Sequence, residues 1–357
     1  MPLTTLRPPV ARGRAFRARV ATGLALSTLA CARSGARDQA PSATAQSRTD
    51  QPAIPSRLAA TFPSGWRLPA GTNATFGAQA MAVSNSPEAS DAAVEILKAG
   101  GNAVDAAVAL GFALAVTWPE AGNIGGGGYM VIKLADGRTA AIDYREIAPL
   151  AATRNMYLDA NGKLTNKSVE GHLASGVPGA VAGLTSALAK YGTLSLAQVM
   201  QPAIRLARDG FVVDTALAGS IARARDYVTR NSPNTPYYPN GQPIAAGARL
   251  VQPDFARALQ AIADRGASAF YEGWIADSLV AEQQRGGGII TKADLKRYTP
   301  AYRTPIRSTF REYGIIAMPP SSSGGVTMTE AFNVLEQYST LPAYGSSKDR
   351  EWTFVQI

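Results

Sequence analysis

The chain of 357 residues contains one cysteine and one histidine. A lone Cys excludes a disulfide framework, and Cys31 with His172 cannot build a His/Cys zinc cluster, so only an all-carboxylate metal site stays open. Any chemistry that needs an imidazole must use His172. Long apolar runs are also scarce. The one near the N-terminus, Val20 to Ala30, spans about eleven residues, too short to cross a bilayer as a helix. Charged residues make up only 17%, against 46% hydrophobic, which supports a packed core and argues against a disordered or fibrous chain. The 34 Gly and 23 Pro follow no collagen-like period.

The net charge of +9 is concentrated at one end. Residues 1–50 carry eight arginines against Asp38 and Asp50, a net +6, which leaves about +3 for the remainder. A nucleic-acid binder carries its positive charge on the folded domain, so this distribution argues against that class. Arg12 to Arg19 read as the basic region of an export signal and Val20 to Ala30 as its apolar region. Ser27-Thr28-Leu29-Ala30-Cys31 resembles a bacterial lipoprotein site, with Thr28 standing where a large aliphatic residue is usual. Two outcomes remain open, lipidation of Cys31 or plain cleavage near Ala30 or Ala32. The expected organisation is an export signal over 1–31, a disordered polar tether over 32–77 and a folded domain over 78–357. The mature protein is expected to be periplasmic or extracellular.

Within the domain, Ala80 to Val83 reads as a short buried strand. Ser86-Pro87-Glu88 caps a helix that Gly100-Gly101 stops. Asn102 and Asp105 cap a second helix, apolar nearly all round and so expected between layers, which ends before Pro119. Tyr129–Leu134 and Thr139–Glu146 read as strands joined by an Asp136-Gly137 turn. Gly176-Val177-Pro178-Gly179 is expected to open a helix to Tyr191-Gly192, and further helices are expected over about 196–209, 216–228, 253–264 and 268–285. Thr309 to Ala317 reads as one strand, and a final helix runs from about Val326 to Gln337. A small sheet covered by helices, with a helical excursion inserted, gives a mixed α/β layer protein.

Two features invite a chemical reading. Gly125–Gly128 suggest a phosphate loop, but a helix precedes the glycines and a strand follows, the reverse of the required order. Close backbone packing is the plainer explanation. Asp143 and Arg145 fall on one face of the second strand. They either form a salt bridge with each other at the sheet's end, or Arg145 offers its planar fork to a substrate carboxylate.

Six segments then resemble the γ-glutamyltranspeptidase (glutathione hydrolase) family. They are Asn102–Val108, Ile124–Met130, Asp143–Pro149, His172–Gly179, Gly288–Leu295 and Met318–Gly325, in family order across about 80–335. The resemblance implies an N-terminal-nucleophile hydrolase fold, an αββα sandwich of which this chain carries the large-subunit part. It implies a precursor that cuts itself, exposing a threonine at the start of a small subunit. The threonine's own α-amine serves as base, so no histidine is needed. The substrates implied are glutathione or another γ-glutamyl donor, with water, an amino acid or a peptide as acceptor, and no cofactor. By the same resemblance Arg145 binds the donor's α-carboxylate, Asp143 and Glu146 orient Arg145 or stabilise the strand end, and His172, Gly125–Gly128 and Pro319–Gly325 are structural.

The family's nucleophile lies in a Thr-Thr-His-type stretch, a context that Thr327, Thr329, Thr340 and Thr353 lack. It is expected downstream of Ile357, and the run Lys348–Ile357 does not continue the family's usual helix. The chain is therefore expected to be truncated, inactive alone, and prone to aggregate without its small subunit. Two alternatives stand beside this one: a related amidase such as a cephalosporin acylase, and a non-catalytic binding scaffold.

Overall fold

The computed structural model describes residues 76–232 and 234–338. The export signal, nearly all of the tether and the Lys348–Ile357 run lie outside those residues. Helix α1 (Pro87–Lys98) starts where Ser86 accepts the Ala89 N–H and Pro87 presets the first turn. Helix α2 (Ala103–Thr117) opens on a reciprocal cap. The Asn102 side chain accepts the N–H groups of Val104 and Asp105, and the Asp105 carboxylate accepts the Asn102 N–H.

Having no polar face, α2 is enclosed by neighbours: α1 on one side, then helices α3 (Ala180–Tyr191) and α4 (Leu196–Asp209). Val108, Phe112 and Val116 lose all solvent contact there, and each such side chain contributes roughly 1.5–3 kcal/mol through apolar burial. Asp105 is fully buried and also accepts from the Thr193 N–H (2.9 Å), the Thr193 hydroxyl (2.7 Å) and the Leu194 N–H (3.1 Å). Burial alone would raise its pKa, but these donors outweigh it and hold the carboxyl below its ordinary value. One carboxylate therefore ties the start of α2 to the turn between α3 and α4.

Strands β1 (Tyr129–Lys133) and β2 (Thr139–Asp143) form an antiparallel hairpin around Asp136-Gly137. The helical excursion follows, in which β3 (Phe211–Val212) before helix α5 (Thr215–Asn231) pairs with β4 (Arg249–Leu250) before helix α6 (Pro253–Arg265) as a two-residue ribbon. Helices α7 (Ser268–Tyr271), α8 (Trp274–Arg285) and α9 (Lys292–Lys296) lead to β5 (Ala301–Arg303), which pairs with β2. The sheet order is β1-β2-β5, so β2 is central, and Ala141, Ile142 and Asp143 are buried on both of its faces. A separate hairpin of β6 (Ile306–Phe310) and β7 (Tyr313–Ala317) packs on helix α10 (Gly324–Glu336).

Four expectations need correction. Residues 80–83 are not a strand; Met81 and Val83 are exposed, and no described strand pairs with them. The strand expected over 139–146 ends at Asp143, although Tyr144 still exchanges backbone bonds with Gly128. The single strand expected over 309–317 is a hairpin that turns at Arg311-Glu312. Arg311 holds a positive φ of 55°, and its N–H bonds the Glu336 carboxylate of α10 at 3.0 Å, a tertiary contact that offsets the local cost. The helix expected over 268–285 breaks at Glu272-Gly273. The Tyr271 hydroxyl there donates to the Pro178 carbonyl (2.9 Å) and accepts the Ala182 N–H, which fixes α7 against the start of α3.

Candidate active site

The chain leaves the central strand at Asp143, turns Tyr144 inward against α3, and carries Arg145 and Glu146 out along the rim of an open cleft. The cleft holds about 530 Å³ and is bounded by Ile147, Pro149, Met156, Tyr157 and Leu173. Why the segment lies where it does follows from the glycine run. A Cβ on Gly127 would strike the Tyr144 carbonyl and come within 2.8 Å of the Arg145 Cα. Only glycine lets the two backbones approach so closely. The Gly126 carbonyl in turn accepts the N–H groups of Gly179 and Ala180, satisfying two free donors at the start of α3. The glycines thus seat residues 144–146 against the start of α3.

The Asp143–Arg145 salt bridge, one of the two sequence alternatives, does not form. Asp143 pairs with Arg303 on β5, whose Nε and Nη2 donate to Oδ2 at 2.8 and 2.7 Å. Its other oxygen accepts the Arg145 N–H at 3.1 Å. The Arg145 carbonyl accepts from the Tyr298 hydroxyl at 2.9 Å. The Arg145 N–H and C=O are therefore both fixed by side chains, one from the end of β2 and one from the loop after α9.

The guanidinium itself stays accessible. Its Nε donates to Glu146 at 3.0 Å, its carbon lies 5.5 Å from the centre of the Tyr129 ring, and 54% of the side chain is exposed. The Glu146 carboxylate pushes its pKa still higher, so it remains a cation under all ordinary conditions. Burial drives the neighbouring phenols the same way, Tyr144 up to about 12 and Tyr298 well above its usual value. Both stay neutral, and Tyr298 stays a donor. A planar cation held at its base and open on its outer side can take a carboxylate.

His172 is placed elsewhere in this arrangement. Its Nε2 lies 2.7 Å from Glu282 of α8, which also pairs with Arg285. Arg285 first and His172 second bring the Glu282 carboxyl down to about 2. Among the described residues no group of three or more His, Cys, Asp and Glu is placed to hold a metal ion. Sequence reasoning did not reach Arg303, Tyr298, Tyr129 and Ser321, the last of which approaches Asp143 at 3.3 Å. Tyr129 and Ser321 do fall inside two of the family segments, but nothing local marks any of the four as a partner, because they lie 14 to 192 residues from the groups they meet.

The sequence profile of a family described as Gamma-glutamyltranspeptidase matches residues 89–356. The chain is 48% identical over 270 residues to the glutathione hydrolase proenzyme of Escherichia coli (strain K12), covering 75% of this chain and 46% of that protein. It is 45% identical to the acylase ACY 1 proenzyme of Pseudomonas sp. (strain SE83), over 73% of this chain and 48% of that protein. It spans about half the length of the curated relatives it matches. Among solved structures, the γ-glutamyltranspeptidase of Helicobacter pylori superimposes with a TM-score of 0.75 at 42% identity, over 80% of this chain and 82% of that one. The cephalosporin acylase of Bacillus halodurans does so with a TM-score of 0.70 at 28% identity, over 83% and 55%.

Proposed function

The chain belongs to the γ-glutamyltranspeptidase family, and from that premise we propose that it supplies the donor-holding part of an enzyme that transfers or hydrolyses γ-glutamyl groups. Its fold is the mixed α/β fold of the family's N-terminal-nucleophile hydrolases. The reaction runs on a threonine at the start of a small subunit cut from the same precursor. The threonine hydroxyl attacks the γ-carbonyl carbon of glutathione or a related amide, and its proton passes to the threonine's own α-amine. The C–N bond breaks, the departing amine takes up that proton, and a γ-glutamyl ester remains. Water or an acceptor amine then attacks the ester and releases glutamate or a new γ-glutamyl amide.

In this scheme Arg145 fixes the donor by its α-carboxylate, the end remote from the scissile bond. One observation carries the assignment: a guanidinium fixed through both backbone groups and through Nε, yet more than half exposed at the rim of a cleft. Glu146 sets the plane of that guanidinium, and Asp143 holds its backbone. The likeness to acylase ACY 1 supports a second reading, an amidase acting on a different acyl group. Export to the periplasm or beyond, with Cys31 lipidated or not, belongs to the same proposal and is supported by the pattern from Arg12 to Cys31. The test is to quench the processed enzyme during turnover of a γ-glutamyl donor and weigh the small subunit. A γ-glutamyl adduct on its first residue is expected. An adduct only with other acyl donors would favour the amidase.

A further inference from the structure

Tyr129 stands directly across the ladder from Asp143, so the two side chains share one face of the sheet. Between them lies Ser321, from the Pro319–Gly325 segment that the site described above does not otherwise use. The Ser321 hydroxyl is 2.9 Å from the Tyr129 hydroxyl and 3.3 Å from Asp143 Oδ2. Asp143 Oδ1 accepts the Arg145 N–H, while the Tyr129 ring lies beneath the Arg145 guanidinium. The contacts close a circuit, Arg145 backbone to Asp143 to Ser321 to Tyr129 and back to the Arg145 side chain.

We propose that Ser321 and Tyr129 are positioning residues that fix the direction of the Arg145 guanidinium, and so make the Pro319–Gly325 segment part of donor recognition. The inference rests on the proposed role of Arg145. The physical reason is that a guanidinium held only at Nε can still swing about its long side chain. A ring anchored at its far end by a hydroxyl–hydroxyl bond limits that swing, and the same serine anchors the carboxylate that holds the backbone. Ser321 reaches the sheet from 178 residues away, so the segment between β7 and α10 is coupled to the site through a single hydroxyl.

The experiment uses the processed two-subunit enzyme with γ-glutamyl-p-nitroanilide as donor, and L-glutamate and 4-aminobutyrate as competitors. Ser321→Ala and Tyr129→Phe should each raise KM about three- to tenfold with kcat little changed. Inhibition by L-glutamate should weaken in parallel, whereas 4-aminobutyrate, which lacks the α-carboxylate, should inhibit as before. Ser321→Thr should keep the wild-type KM, and the double variant should be no worse than Ser321→Ala alone. An unchanged KM in both single variants, or equal loss for the two competitors, overturns the proposal. Should Ser321→Ala fail to fold, Tyr129→Phe, which removes one hydroxyl and keeps the ring, decides the matter. If Arg145→Lys weakens the donor while these variants do not, the inference fails and the role of Arg145 stands. If wild type ignores the donor, both fail.

Discussion

The Tyr298 hydroxyl donates to the Arg145 carbonyl at 2.9 Å across 153 residues of sequence. Tyr298 follows α9 directly, its ring stacks on Tyr271 at 5.9 Å, and burial keeps it neutral. It therefore connects the second half of the domain to the residue read as the donor's anchor. Tyr298→Phe keeps the ring stack and leaves one carbonyl without its partner. About 1 kcal/mol is expected to be lost, seen as a KM about fivefold higher with kcat nearly unchanged in steady-state assays.

How far the fold could be read ahead depends on where each signal resides. Caps are local, so Ser86-Pro87 and Asn102 with Asp105 announced α1 and α2. Ser195 with Gln198 and Thr291 with Asp294 repeat that spacing at the starts of α4 and α9. The break before α8 and the turn at Arg311 are set instead by tertiary partners, Pro178 for Tyr271 and Glu336 for Arg311. Neither stretch carries the Asn-Gly or Asp-Gly signal that marks the β1–β2 turn. In the candidate site, the role proposed for Arg145 comes from its family segment. Tyr298, which bonds the Arg145 carbonyl, and Arg303 and Ser321, which bond Asp143, were not legible, since one sequence holds no record of contacts made across the fold.

Asp105 gives a stability prediction with a definite sign. Its pKa is lowered on folding, so its contribution is fully present above the unfolded value near 3.8 and is lost as pH falls through the lower folded value. Asp105→Asn should cost about 2–4 kcal/mol at neutral pH, because the buried donors of Asn102, Thr193 and Leu194 lose part of their acceptor. Urea melts from pH 7 down to about pH 3 check both statements: the gap between variant and wild type should narrow only at the acid end.

Gly183 tests the packing that seats the site. It lies inside α3, where alanine would ordinarily favour the helix by about 1 kcal/mol. A Cβ there, however, would overlap the Tyr144 ring, with Cδ1 only 2.6 Å away. Gly183→Ala should therefore destabilise by about 1–3 kcal/mol, measured as a lower midpoint in thermal melts. A rise in the midpoint would show that Tyr144 is not held against α3.

His172 is paired with Glu282 and is assigned no chemistry. His172→Gln keeps a donor for that carboxylate, so kcat is expected to stay within about twofold and the pH–rate profile to keep its shape. A loss of about a hundredfold would mean that an imidazole takes part after all.

The central claim is that the Arg145 guanidinium grips the α-carboxylate of a γ-glutamyl donor, and the Michaelis constant of Arg145→Lys tests it most directly. Lysine keeps the charge but not the planar fork that takes both carboxylate oxygens. In the processed enzyme the account predicts a KM for the γ-glutamyl donor raised about ten- to a hundredfold. A KM equal to that of wild type would contradict it.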